Sequence, residues 1–220
     1  LSDAAHAHHP ALKHYFPDLH EQREASSLGM WLFIAQEIMF FGGLFLAYTV
    51  YRSLYPEAWA EASHHLNWRM GAINTAVLIG SSLTMALAVH AAALGHRRQI
   101  VAWLVSTVLL GSVFLGVKVV EYSDKFRHHL VPGPHFEFPG PHGGQAQIFY
   151  SLYFAMTGLH AAHMIIGIPI ILTIAWFAHR GRYDAQYYTP VELTGLYWHF
   201  VDIIWIFLFP LLYLVGGGHR

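Results

Sequence analysis

The residues of this chain that could do chemistry are few, and they sit in greasy surroundings. YWHFVDIIW at 197–205 sets His199 and Asp202 among aromatic and aliphatic side chains, and HAAH at 160–163 supplies two more imidazoles, His160 and His163. Glu37 stands in LFIAQEIMFF, His90 in ALAVHAAA, and Lys118 and Glu121 near one end of a long apolar run. Carboxyls and imidazoles placed this way can exchange protons, ligate a metal or haem, or hydrogen-bond a neighbouring helix. An Asp near the centre of a membrane-spanning helix costs about 2.5–3.5 kcal/mol on insertion scales, so each such group calls for a partner or a polar cavity.

Helical spacing arranges them further. Trp198, Asp202 and Trp205 follow i, i+4, i+7 on one face, with His199 on its flank. Asp202 can then hydrogen-bond His199 or an indole N–H of another helix, or it can handle protons. Glu37 and Asp202 each lie about ten residues into segments that enter from the same side, and at about 1.5 Å per residue this predicts similar depth. Two carboxyls sharing one site would raise each other's proton affinity. His160 and His163 share a helical face, and the readings are hydrogen bonds to Glu121 or to each other through water, or haem ligation as in a b-type cytochrome. Spacing weighs against haem, because the pair is too close to serve separate macrocycles and His90 lies near the end of its segment.

The other histidines fall in the N-terminal tail (His6, His8, His9, His14) or in loops (His64, His65, His128, His129, His135, His142) and read as solvated residues without metal-site geometry. Cysteine is absent, which excludes disulfides, thiolate zinc and Cys-ligated copper. No Gly-rich phosphate loop, GxSxG or HExxH is present, so no catalytic motif of the chain's own is expected.

The elements that must position these residues are membrane helices. Of 220 residues 55% are hydrophobic and 11% charged, against about a quarter charged in soluble domains. Apolar segments run over about 28–54, 70–95, 99–121, 147–178 and 193–216, each beyond the roughly 20 residues that cross a bilayer. Stretches such as IVAWLVSTVLLGSVFLGV are apolar all round, unlike the striped helices of a soluble bundle. The expected fold is an all-α integral membrane protein, a bundle of five transmembrane helices over 28–216 behind a polar tail at 1–27, with no signal peptide. A net charge of -1 with scattered basic residues excludes nucleic acid as a partner.

Trp31, Tyr51, Tyr55, Trp59, Trp68, Trp103, Tyr122, Trp176, Tyr197 and Tyr213 lie near segment ends and fit an interfacial belt, whereas the deeper Tyr48 and Trp205 should face protein. Pro169 and Pro210 inside segments four and five predict kinks. The GHRRQ and HRGRYD turns share the side of the N-terminus, and their basic charge makes that side cytoplasmic. The opposite side carries YPEAWAEASHHLNWR and a Pro- and Gly-rich loop, read as connections.

These motifs resemble a known family, subunit III of the haem-copper respiratory oxidases, and within it the cytochrome c oxidase branch. LFIAQEIMFFGGLFLAY at 32–48 is similar to the family's glutamate-bearing helix, and NTAVLIGSSLTMALAVHAAALGHRRQ to the next. VVEYSDKF resembles the exit of the third helix, and FAMTGLHAAHMIIG and YWHFVDIIWIFLF the last two. The long form of the family has seven helices, and this chain resembles its last five, as in some bacterial members. Gln36 stands where serine usually precedes the glutamate.

The resemblance implies a non-catalytic subunit of a proton-pumping terminal oxidase, without haem or copper of its own, those being expected on partner subunits. It would pack against subunit I beside subunit II, other respiratory subunits and membrane lipids, supporting subunit I and its proton uptake. Its motif residues would be Glu37, Glu121, His160, His163, Trp198, His199 and Asp202. Its place would be the bacterial cytoplasmic membrane. The alternatives are subunit III of a quinol oxidase, whose donor site lies on other chains, and a b-type haem membrane cytochrome.

Overall fold

The structure, a computed structural model, describes residues 10–214. His6, His8 and His9 of the tail and the last residues of the fifth apolar segment lie outside the described residues. Among those described there are six α-helices and no strand: α1 (Leu19–Leu54), α2 (Pro56–His64), α3 (Trp68–Ala93), α4 (Arg97–Arg127), α5 (Gly143–His179) and α6 (Thr189–Phe209), which runs on into a π-helical turn, Pro210–Leu214. All but α2 are long and apolar enough to cross a membrane.

The helices outrun the apolar segments because polar caps extend them. Asp18 accepts a hydrogen bond from the Glu21 N–H at 2.8 Å and starts α1 within the polar stretch. Gln22 pins the preceding residues to that helix, accepting from the Lys13 N–H at 2.8 Å and donating to the Ala11 carbonyl at 3.3 Å. Asn67 caps α3 through the amides of Arg69 and Met70. Gly95 and Gly181, at φ 70° and 75°, end α3 and α5 in left-handed turns that other residues adopt at a cost. α5 continues through Pro169, whereas Pro210 marks the switch from α to π geometry.

α3, α4, α5 and α6 pack in a cycle, each against two neighbours, and α1 lies outside it against α5 and α6. The apolar window of α6 is 56% buried and that of α1 only 17%, so α6 serves as the inner helix and α1 as the outer one. Arg23 meets Glu192 at 2.9 Å and lies over the Tyr188 ring, which fixes the starts of α1 and α6 at one end, together with the 95–97 and 180–188 turns. The other end is closed by α2. This short helix was not expected, and its buried Ala58, Trp59, Ala62 and Ser63 face α5 and the π turn.

Trp198 shows how the core is built. Its indole occupies a slot in which a Cβ on Gly111 of α4 would stand 2.9 Å from the ring and a Cβ on Gly167 of α5 3.0 Å. Its N–H donates to Ser81 of α3 at 2.8 Å. One side chain thus joins four helices.

Trp31, Tyr51, Tyr55, Trp68 and Trp176 are exposed, as belt residues should be, and Tyr48 and Trp205 are buried as expected. Trp59, Tyr197 and Tyr213 depart from the belt assignment. They are buried, because α2, α5 and the π turn fold over the segment ends that carry them.

Candidate functional site

The polar residues within the helices separate into three clusters. The first lies toward the α2 end. One turn of α4 brings Lys118 and Glu121 together at i, i+3, with Nζ 2.8 Å from Glu121 Oε2 and both side chains nearly inaccessible. The ammonium also donates to Tyr153 of α5 at 3.3 Å and to Tyr213 of the π turn at 3.1 Å. Both tyrosine hydroxyls donate in turn to Glu121 Oε1. Lys118 lies 5.1–5.8 Å from the centroids of Tyr122, Tyr153, Trp205 and Tyr213, so aromatic faces cover the charge on the sides the carboxylate leaves open. A buried ion pair is tolerable only when its remaining donors and acceptors are satisfied, and this one is well supplied.

The second cluster joins α1 to α5. His163 Nε2 lies 3.3 Å from Glu37 Oε2, an ion-pair contact without the alignment of a hydrogen bond. Its Nδ1 stands 2.9 Å from the Leu159 carbonyl. A carbonyl only accepts, so Nδ1 carries the proton, and Nε2 then meets the carboxyl with a lone pair unless another proton lies between them. Tyr197 closes the pair from α6, its hydroxyl donating to the His163 carbonyl at 2.9 Å.

His160 points elsewhere. It packs between Phe114 and Trp205, with ring centroids 5.3 and 5.2 Å away, and neither ring nitrogen has a hydrogen-bond partner. The expected bonds from the HAAH pair to Glu121 or to each other do not form. Glu121 is taken by Lys118 and two tyrosines, and the 60° between positions i and i+3 turns one imidazole toward α1 and the other into the α4–α6 core.

The third cluster is the α3–α6 contact. Trp205 donates to Thr75 at 3.0 Å, Trp198 to Ser81, and His199 Nδ1 lies 2.8 Å from Ser82 Oγ. The expected direct Asp202–His199 bond is absent: Asp202 is 2% exposed, and Ser82, which bonds His199, is the polar partner beside its carboxyl. Glu37 and Asp202 do not share a site, since the one faces α5 and the other α3.

Outside the spans, His65 is held below the ordinary imidazole range, first by burial and then by the Lys125 charge. Among the described residues no three His, Asp or Glu side chains are grouped to hold a metal ion.

Residue types together with the family resemblance marked Glu37, Glu121, His160, His163, Trp198, His199 and Asp202. They did not mark Tyr153, Tyr213, Thr75, Ser81 and Ser82, the neutral partners that complete the clusters. The only sequence signal for Ser81 and Ser82 was a hydroxyl run, GSSLT, in an apolar helix.

A family profile described as "Cytochrome c oxidase subunit III" matches residues 19–217. The chain is 36% identical to cytochrome c oxidase subunit 3 of Thermostichus vulcanus over 89% of its length and 90% of the relative's. It is 32% identical to the Corynebacterium diphtheriae protein of the same name, covering 86% and 87%. It is also 31% identical to quinol oxidase subunit 3 of Bacillus subtilis, covering 87% of each. With its five apolar helices and a profile match over nearly the whole bundle, the chain belongs to the cytochrome c oxidase subunit III family.

Proposed function

We propose that the chain is a cofactor-free structural subunit of a haem-copper terminal oxidase of the cytochrome c branch, packed against subunit I and sustaining its proton uptake while oxygen is reduced to water. The observation that carries this reading is the use made of the intramembrane polar groups. Lys118 and Glu121 reach Tyr153 and Tyr213, and Trp198 and His199 reach Ser81 and Ser82, all on neighbouring elements, and such contacts assemble a bundle. Haem and copper then belong to partner subunits. The HAAH pair supports this, because His163 is directed at the Leu159 carbonyl and Glu37 while His160 packs between Phe114 and Trp205, so the two imidazoles point to different neighbours and do not converge on one ligand.

Glu37 and His163 would serve as a proton-holding pair, and Glu121, Trp198, His199 and Asp202 as packing residues. Subunit II, other respiratory subunits and lipids would complete the surroundings. Higher identity to a cytochrome c oxidase relative than to a quinol oxidase one supports the cytochrome c branch. The bacterial cytoplasmic membrane is the proposed location. Arg97, Arg98, Arg180 and Arg182 share the end where α1 starts, which favours a cytoplasmic N-terminus.

Purification from the native membrane tests the proposal. Haem-copper catalytic subunits should co-purify, and the chain isolated from them should show no Soret absorption. A stoichiometric haem b spectrum from the isolated chain would establish the cytochrome reading instead.

A further inference from the structure

Contacts from several helices converge on the π-helical turn Pro210–Leu214. The Leu211 carbonyl accepts a hydrogen bond from Tyr48 of α1 at 2.6 Å. The Tyr213 hydroxyl donates to Glu121 Oε1 and accepts from the Lys118 ammonium at 3.1 Å, both groups belonging to α4. Leu212 and Tyr213 are buried, and α2 packs against the turn. On the α3 side a Cβ on Gly71 would stand 2.8 Å from the Phe209 ring and 3.2 Å from that of Tyr213, so the glycine lets α3 close in. Pro210 accounts for the change of register. Proline lacks the N–H that an α-helix uses, and its ring crowds the carbonyl four residues back, here that of Ile206. Widening to i→i+5 bonds alters the azimuth of every residue that follows, and such turns are frequent at functional sites.

We infer that the π turn is a conformational coupler, which ties the hold on α1 to the buried Lys118–Glu121 pair of α4. Among the described residues no hydrogen bond or ring contact joins Tyr48 directly to Tyr213, Lys118 or Glu121, whereas Leu211 and Tyr213 lie two residues apart in one turn. A disturbance of either contact moves the segment that makes the other. α1 also carries Glu37, so the coupling reaches the helix that meets His163. A coupling free energy acts in both directions.

Hydrogen exchange of the full-length protein in detergent tests both. Tyr48→Phe should speed exchange about fivefold over 118–122 of α4 as well as over 210–214, the scale set by the net worth of one hydrogen bond. Tyr213→Phe should do the same over 45–51 of α1. Thr49→Ala removes a neighbouring hydroxyl that donates to its own helix at the Phe45 carbonyl, and it should leave 118–122 unchanged. Changes confined to the helix next to each substitution would overturn the inference. Thermal midpoints supply a second measurement. The double variant Tyr48→Phe with Tyr213→Phe should lose less than the sum of the single losses, because each releases the same turn, and additive losses would overturn the coupling. The other route between the two tyrosines is the ring series Phe149, Tyr150 and Tyr153 on α5. Coupling that persists in a Phe149→Leu background supports the turn, and coupling abolished there would assign it to α5 instead.

Discussion

Lys118 illustrates how much rests on single residues in this bundle. Its ammonium is the donor that allows Glu121 to stay buried, and Tyr153 and Tyr213 depend on the same carboxylate. Lys118→Met would leave a buried carboxylate with two hydroxyls and no counter-charge, and breaking one partner of a buried pair costs about 3–5 kcal/mol. The thermal midpoint of the purified protein should fall sharply in that variant and recover in part in Lys118→Met with Glu121→Gln, where no charge remains. Glu121 was legible in the sequence as a buried acid in need of a partner, but its partners were not. Two of the three come from α5 and the π turn, 32 and 92 residues away, and helical periodicity fixes a residue's azimuth on its own helix without saying which helix lies opposite. For the same reason Glu37 and Asp202, equal in depth by counting, ended with different neighbours.

At the scale of elements, five long apolar helices were legible because a bilayer demands length and hydrophobicity, both local properties. α2 was not, because its nine residues include Glu57, Glu61 and His64, and its burial comes from Trp59 fitting between Tyr48 and Phe149. Helix spacing was equally hidden, since it depends on glycines facing Trp198. Gly111→Ala would bring a methyl group to 2.9 Å from the indole and should destabilise the bundle by about 1–3 kcal/mol, as overpacking does. Trp198→Phe in the same background should restore part of the loss, a coupling that a double-mutant cycle in thermal midpoint would measure. The connection between α2 and α3 adds a pH dependence. The folded state holds His65 below its unfolded value, so the unfolded chain binds more protons, and stability is full above about pH 6.5 and declines as pH falls below it. The midpoint lost between about pH 7 and pH 5 should be smaller in His65→Gln.

Among the described residues the long helices form a closed cycle of four with a fifth attached, and this asymmetry sets the order in which they loosen. α3 through α6 are stitched by side chains that each reach two or three neighbours. α1 is held by Glu37 against His163, by Arg23 against Glu192, and by Tyr48, whose hydroxyl donates to the Leu211 carbonyl at 2.6 Å. Between these points α1 and α6 diverge into an apolar groove of about 530 Å³, lined by Ile38, Phe45, Phe200 and Phe207, which adds little close packing. Segments with few buried contacts open at lower free energy than the global transition. Hydrogen exchange in detergent should therefore be faster through α1 than through α6. Glu37→Ala combined with Arg23→Ala should raise it further in α1 while leaving α3–α6 unchanged. Equal acceleration across all five long helices would mean that α1 is integral to one cooperative unit, and the four-plus-one division would fail.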